Sequence, residues 1–227
     1  MATGKTQMDM HSFDIARFYP AQKEKAFVKN RSFENAQTIY TPPVHPKEPY
    51  ISSRELFVSP FYAREKELGG YFENEVGGWE RAFAYESNRQ KLDNYLQQVP
   101  VRGNEWDRRH VPYEIANAEH LAMSESAGMI NLSHFAIVDV EGPDAERMLE
   151  HLSVAKIGGD TPEDKIIYTN FLDDDGGVHA DLTISRLSAD RFRVVTGGAD
   201  GNQDWLTMRN YRDDIGLEAE INIRTHD

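Results

Sequence analysis

The sequence predicts an α+β fold, and three observations carry that prediction. Apolar stretches of period two recur along the chain and read as strands. Stretches of helical periodicity lie between them. Two of the strands, residues 166–172 and 178–186, are separated only by a turn cluster, which makes them a hairpin. Strands mixed with helices and at least one hairpin argue against a doubly wound parallel sheet.

Each element follows from local chemistry. Ala21 to Ala36 is a predicted helix with Pro20 near its first position, where a missing N–H is harmless. Ser59-Pro60 supplies a cap and a helical start, and Gly69 a stop, so 60–68 is a short helix. Tyr71 to Tyr85 reads as a strand pair interrupted by Gly77-Gly78. Tyr113 to Ala127 is a helix, with Ile115, Ala118, Ala122 and Met123 on one face and Gly128 as its stop. In 136–140, Ala136, Val138 and Val140 alternate with Ile137 and Asp139, the pattern of a strand. Pro143 opens a helix through Leu152. After the hairpin come a strand at 192–196, a helix at 200–213 and a last strand at 218–223.

Composition excludes several function classes. The 227 residues carry a net charge of -13, which argues against nucleic-acid or anionic-membrane partners. With no cysteine, there is no disulfide, Cys-ligated zinc, iron–sulfur cluster or thiol nucleophile. No apolar run approaches the length of about 18 residues that spans a membrane. No basic segment followed by an apolar run opens the chain, so a cytoplasmic location is expected. The charge is uneven: residues 1–58 have 8 Lys+Arg against 6 Asp+Glu, and residues 59–227 have 17 against 32. Pro42, Pro43, Pro46 and Pro49 make 41–49 an extended linker. The expected organisation is therefore a short N-terminal piece, 1–58, joined to an acidic domain, 59–227.

Most catalytic motifs are absent. There is no G-x-G-x-x-G, and Gly4-Lys5-Thr6 lacks the upstream glycine and strand of a phosphate loop. There is no H-E-x-x-H, and the eight histidines lack metal-ligand spacing, so no metal is expected. Asp173-Asp174-Asp175 lacks the alternating carboxylates of a calcium loop and reads as a solvated turn. Asp181 is the unusual residue. It interrupts an apolar strand, where an unpaired carboxylate is costly to bury. It either faces outward or contacts a ligand nitrogen. Tyr168, on the opposing arm, either packs ordinarily or walls the same pocket.

Several segments together resemble a known family. Ser59 to Tyr85 (SPFYAREKELGGYFENEVGGWERAFAY), Glu119-His120, Gly128 to Phe135 (GMINLSHF), Tyr168 to Leu182 (YTNFLDDDGGVHADL) and Phe192 to Ala199 (FRVVTGGA) resemble, in order, the aminomethyltransferase family of the glycine-cleavage T-protein. Thr3 to Phe18 (TGKTQMDMHSFDIARF) resembles the closing segment of a flavin-dependent amine oxidase domain. The combination is similar to dimethylglycine and sarcosine dehydrogenases and dimethylglycine oxidase.

This resemblance implies an α+β fold: the N-terminal part of a folate-binding aminomethyltransferase domain preceded by the tail of a flavin-dependent amine oxidase domain. It implies an enzyme that oxidatively demethylates an N-methyl amino acid of the dimethylglycine or sarcosine type and passes the carbon to tetrahydrofolate. Asp181 matches the family's hairpin aspartate, which would orient and activate the folate N10 nitrogen. Tyr168, Phe135 and Val195 match pocket positions. Many T-proteins have Asn where this chain has Gly197. FAD is expected only in an upstream flavoprotein domain or subunit. Folate is anionic, so cations are needed; Arg186 and Arg193 are candidates, although their alternation suggests solvent exposure. The chain is expected to be a middle portion of such an enzyme, not active alone. The alternatives are a non-catalytic folate-binding or interaction module and an inactive fragment.

Overall fold

A computed structural model describes residues 13–40, 50–72, 74–95, 97–98, 113–173 and 175–225. The expected linker 41–49 and most of the segment Thr3 to Phe18 lie outside them. The chain divides into two compact units. One is Pro20–His134; the other joins the described parts of Met1–Tyr19 and Phe135–Asp227.

In the first unit, Pro20 opens a 3-10 turn, Pro20–Lys23, and helix α1 follows at Lys25–Thr38. The predicted helix thus exists, but its first turn is tightened. Arg31 of α1 is buried, its guanidinium 4.1 Å from the Tyr50 ring centre. Helix α2 (Tyr62–Glu67) begins where Ser59 Oγ accepts the Phe61 N–H at 3.2 Å. It ends at Gly69, whose φ of +72° suits a residue without Cβ. Strands β1 (Asn74–Val76) and β2 (Trp79–Arg81) pair across Gly77-Gly78, both with positive φ, as a two-residue hairpin requires.

A 3-10 turn at Glu86–Lys91 and helix α3 (Leu92–Tyr95) were not expected. Their segment is polar and offers no apolar period to read. Helix α4 spans Tyr113–Glu125, ending before the expected Gly128 stop. Ile115 and Ala118 are fully buried as the period demands, but Met123 is 42% exposed.

The second unit is one five-stranded antiparallel sheet in the order β4-β5-β6-β3-β7. Its strands are β3 (Ala136–Glu141), β4 (Ile166–Leu172), β5 (Val178–Arg186), β6 (Arg191–Thr196) and β7 (Glu220–Ile223). Helices α5 (Ala145–Leu152) and α6 (Gly201–Ile215) complete it. Met148, Leu149 and Met208 from the helices share a core with Val138, Phe171, Ile184, Phe192 and Val194. The residues of the helix-covered face alternate along each strand, so the intervening residues share the opposite face.

The hairpin β4–β5 forms with the expected bounds. Its ladder shifts register between Phe171 and Leu172, leaving His179 as the extra residue on β5. In its turn, Asp173 Oδ1 accepts the N–H groups of Asp175 (3.0 Å) and Gly177 (2.6 Å). The carboxylate caps its own loop, the Asx geometry of a solvated turn.

Two charged residues of the sheet are buried. Asp139 alternates with the core residues Val138 and Val140 and so lies on the other face with Ile137, yet it is 3% exposed. Arg193 holds it through bonds of 2.7 and 3.0 Å, and this pairing keeps the Asp139 carboxyl below its ordinary range. Arg186 was expected to face solvent, but it follows Ala180, Leu182 and Ile184 at period two on the core face of β5 and is buried. It donates to Glu146 at 2.9 Å and to the Ile157 carbonyl at 3.3 Å, with its guanidinium over Phe192. Its long stem permits burial because an acid waits at the far end.

Candidate functional site

The ladder register brings the sequence-predicted site residues onto one face of the sheet. Tyr168 pairs with Thr183, Thr183 with Val195, and Val195 with Ile137. These four residues form a row across β4, β5, β6 and β3, on the face opposite α5 and α6. The next row contains Asn170 and Asp181, which are also paired. Continued by two residues, the same register reaches Gly197 after β6 and Phe135 before β3. Asp181, Tyr168, Val195 and Phe135 therefore occupy two adjacent rows at one end of the sheet. Thr183, Ile137 and Asn170 share those rows and were not anticipated. Their period-two spacing from Asp181, Phe135 and Tyr168 is the signal that would have found them.

Asp181 faces outward, the first of its two readings. It is exposed, and Tyr168 beside it is 67% exposed. Ordinary core packing is thus excluded for Tyr168, which stands on an edge strand. The Tyr168 hydroxyl donates to Asp181 Oδ2 at 3.1 Å. That bond, and then the carboxylate's charge, hold the Tyr168 phenol protonated above its ordinary pKa. Asp181 is left with an acceptor oxygen toward solvent. Val195 and Phe135 are half-buried. At Gly197 there is open space: a Cβ would meet only Asp200 Oδ2, at 4.0 Å.

Behind this face lies a second carboxylate that sequence reasoning missed. Asp204, in the first turn of α6, is 1% exposed. Its Oδ2 accepts the Thr196 hydroxyl at 2.5 Å, and its Oδ1 has no hydrogen-bond partner among the described residues. Burial raises its pKa to about 7 against the help of Thr196, and the charges of Asp200 and Asp181 add to the rise. The two cation candidates are committed elsewhere, Arg193 to Asp139 and Arg186 to Glu146. Among the described residues, no cluster of three or more His, Asp or Glu is placed to hold a metal ion.

The remaining family-like segments build a different feature, in the unit Pro20–His134. Glu65 Oε1 accepts the Tyr85 hydroxyl at 2.8 Å and the Asn131 amide at 3.0 Å. Glu65 Oε2 accepts the Ser59 hydroxyl at 3.2 Å. Asn131 also donates to Ser59 Oγ at 2.8 Å. Glu119 accepts the Tyr85 N–H and the Asn88 amide, both at 2.9 Å. This network satisfies its own members and ties α2, the segment after β2, α4 and the segment before β3.

The GCVT N-terminal domain model matches residues 61–227. The chain belongs to that family. The FAD dependent oxidoreductase central domain matches residues 3–59, the segment that resembles the end of an amine oxidase domain.

Three relatives carry names of the one kind or the other. A 4-methylaminobutanoate oxidase (formaldehyde-forming) of Paenarthrobacter nicotinovorans is 34% identical over 196 residues, covering 86% of this chain and 22% of the relative. The mitochondrial sarcosine dehydrogenase of Mus musculus is 26% identical over 96% of this chain and 26% of its own length. An aminomethyltransferase of Cupriavidus taiwanensis is 36% identical over 46% of this chain and 28% of its own. The chain thus spans about a quarter of the length of these curated relatives.

The crystal structure of the glycine cleavage system aminomethyltransferase T from Bartonella henselae superposes with a TM-score of 0.57 at 20% identity. It covers 75% of this chain and 39% of that protein. This likeness establishes the α+β fold. Among the described residues, no helix is long and apolar enough to cross a membrane.

Proposed function

We propose that this chain carries part of a tetrahydrofolate-dependent one-carbon transfer site, within an enzyme that oxidatively demethylates an N-methyl amino acid. The observation that carries the reading is the exposed Tyr168–Asp181 pair, joined at 3.1 Å, with Val195 and Phe135 in the neighbouring register positions. The domain boundary falls near 58/59, with a flavin-dependent part before it. No residue pattern for a dinucleotide occurs in these 227 residues, so FAD would be held by a flavoprotein domain or subunit other than this chain, where it would supply oxidation of the amine.

The roles on the sheet face follow from chemistry. The methylene carbon left on the substrate nitrogen after oxidation is electrophilic. A folate nitrogen attacks it, a C–N bond forms, the bond to the substrate nitrogen breaks, and a secondary or primary amine leaves. Asp181 is the acceptor that orients the folate N–H and stabilises the positive charge of the attacking nitrogen, whose proton passes to the amine that leaves. Tyr168 holds the carboxylate in one rotamer and offers its ring to the pteridine. Val195 and Phe135 supply apolar walls. With Arg186 and Arg193 already paired, the folate carboxylates need cations other than these two.

Two observations favour a second reading. The 34% identical relative is named as formaldehyde-forming, and Gly197 offers no side chain to a pterin. In that reading water takes the methylene carbon and formaldehyde leaves.

The test is calorimetric titration of the full 227-residue chain with tetrahydrofolate, followed by transfer assays with the flavin-bearing part present. Binding with transfer that Asp181→Ala removes supports the proposal. Binding without Asp181-dependent transfer supports a non-catalytic folate module. No binding, with formaldehyde as product, overturns the folate reading.

A further inference from the structure

The short N-terminal segment Asp14–Tyr19 is built into the transferase unit at the edge of the candidate site. It folds as a 3-10 turn at Ile15–Arg17, capped by Asp14, whose carboxylate accepts the Ala16 N–H at 2.8 Å. Asn202, 6% exposed at the start of α6, donates its amide to the carbonyls of Ala16 (2.5 Å) and Phe18 (3.2 Å). Tyr19, 2% exposed, donates its hydroxyl to the Gly198 carbonyl at 2.9 Å. Gly201 explains how the parts approach so closely. A Cβ there would stand 2.1 Å from Ala136 Cβ and 2.7 Å from Tyr19 Oη.

Two facts give this contact meaning. Residues 14–19 fall within the match to the oxidoreductase central domain, whereas Ala136 and Gly198–Asn202 fall within the GCVT match. The turn they grip, Gly197–Asn202, follows Val195 and Thr196 directly and delivers Asp204. Ala136 follows Phe135. The bonds join residues more than 170 positions apart, the Tyr19–Gly198 separation being 179. A polar side chain buried to this degree holds its partners in one arrangement, because leaving them unpaired is costly.

We infer that Tyr19 and Asn202 are positioning residues: they use the end of the oxidoreductase-family segment as a strap that sets the β6–α6 turn, and through it Val195 and Phe135, for the ligand of the candidate site. The inference rests on the folate reading for its ligand, but the strap has a readout of its own. A flavin-side segment that shapes the acceptor pocket ties the two modules mechanically. Separating them at the sequence boundary between 59 and 61 would remove the strap from the fold it serves.

The experiment uses the full chain with Tyr19→Phe and Asn202→Ala. Tyr19→Phe keeps the buried ring and removes one donor, so folding is preserved. Hydrogen exchange read by mass spectrometry is expected to quicken at residues 197–203 and to stay unchanged in the β4–β5 hairpin. Tetrahydrofolate affinity is expected to weaken about five- to tenfold, the scale of one lost hydrogen bond. The transfer rate at saturating folate is expected to stay unchanged, since Asp181 and Tyr168 are untouched.

Exchange that rises uniformly over the unit, or affinity unchanged in both variants while the wild type binds, overturns the strap. Wild-type chain that fails to bind tetrahydrofolate overturns the folate reading instead. The localised exchange change then still decides whether the strap holds the turn.

Discussion

The chain contains two tyrosine–carboxylate pairs of opposite character. In the unit Pro20–His134, Tyr85 donates to Glu65 at 2.8 Å. In the sheet unit, Tyr168 donates to Asp181 at 3.1 Å. The chemistry of the bond is the same, but the surroundings are not. Glu65 is 7% exposed and accepts from Ser59, Tyr85 and Asn131, so its oxygens are occupied. Burial and then Glu65 push the Tyr85 phenol far above its ordinary pKa. Asp181 and Tyr168 stand in solvent with acceptor capacity left over. A buried, satisfied pair holds a fold together; an exposed, under-used pair is available to a ligand. Resemblance to a family marks both alike, and only burial separates them.

Asp204 tests the comparison most severely, because it is buried like Glu65 but has a single donor. Its pKa of about 7 lies above the ordinary 3.8, so the folded state binds a proton that the unfolded state releases. Its contribution is complete below pH 4 and is lost as pH rises toward 7. The loss reaches up to about 4 kcal/mol at roughly 1.4 kcal/mol per unit. Asp204→Asn is expected to flatten this slope in urea denaturation between pH 4.5 and 7.5; an unchanged slope sinks the assignment.

Removing the satisfied carboxylate comes next. Glu65→Ala orphans the Tyr85 hydroxyl and is expected to destabilise the unit by about 3 kcal/mol. A loss below about 0.5 kcal/mol in the same assay would show that the network is not structural. Asp181→Ala should do the reverse. Stability is expected within about 0.5 kcal/mol of wild type, as for ordinary surface changes. One-carbon transfer is expected to fall about a hundredfold, or 2.7 kcal/mol. Tyr168→Phe is the mildest change. It removes one exposed hydroxyl and is expected to slow transfer a few-fold, with the melting temperature unchanged. If it equals Asp181→Ala, the hydroxyl itself takes part in the chemistry.

Much of the fold was legible from local signals. The Gly77-Gly78 hairpin, the β4–β5 hairpin and α5 and α6 follow from turn chemistry and periodicity, which act over a few residues. The segment Glu86–Tyr95 was not legible, since its polar residues take helical form without an apolar stripe. Of the candidate site, Asp181 announced itself as a carboxylate in an apolar strand, and Tyr168 by its place on the opposing arm. Asp204, Thr196 and the strap did not, because their partners lie far away in the chain.

By itself the sequence determined the α+β class, the hairpin and the pairing of two family segments, all properties of local pattern. The tertiary structure alone decided which charges are available. Asp139 sits on the face opposite the helices and Arg186 on the core face beside Leu182 and Ile184, and each charge is buried where an opposite charge meets it from another element. Period and propensity describe one strand at a time. Desolvation and ion pairing depend on what the rest of the chain brings alongside it.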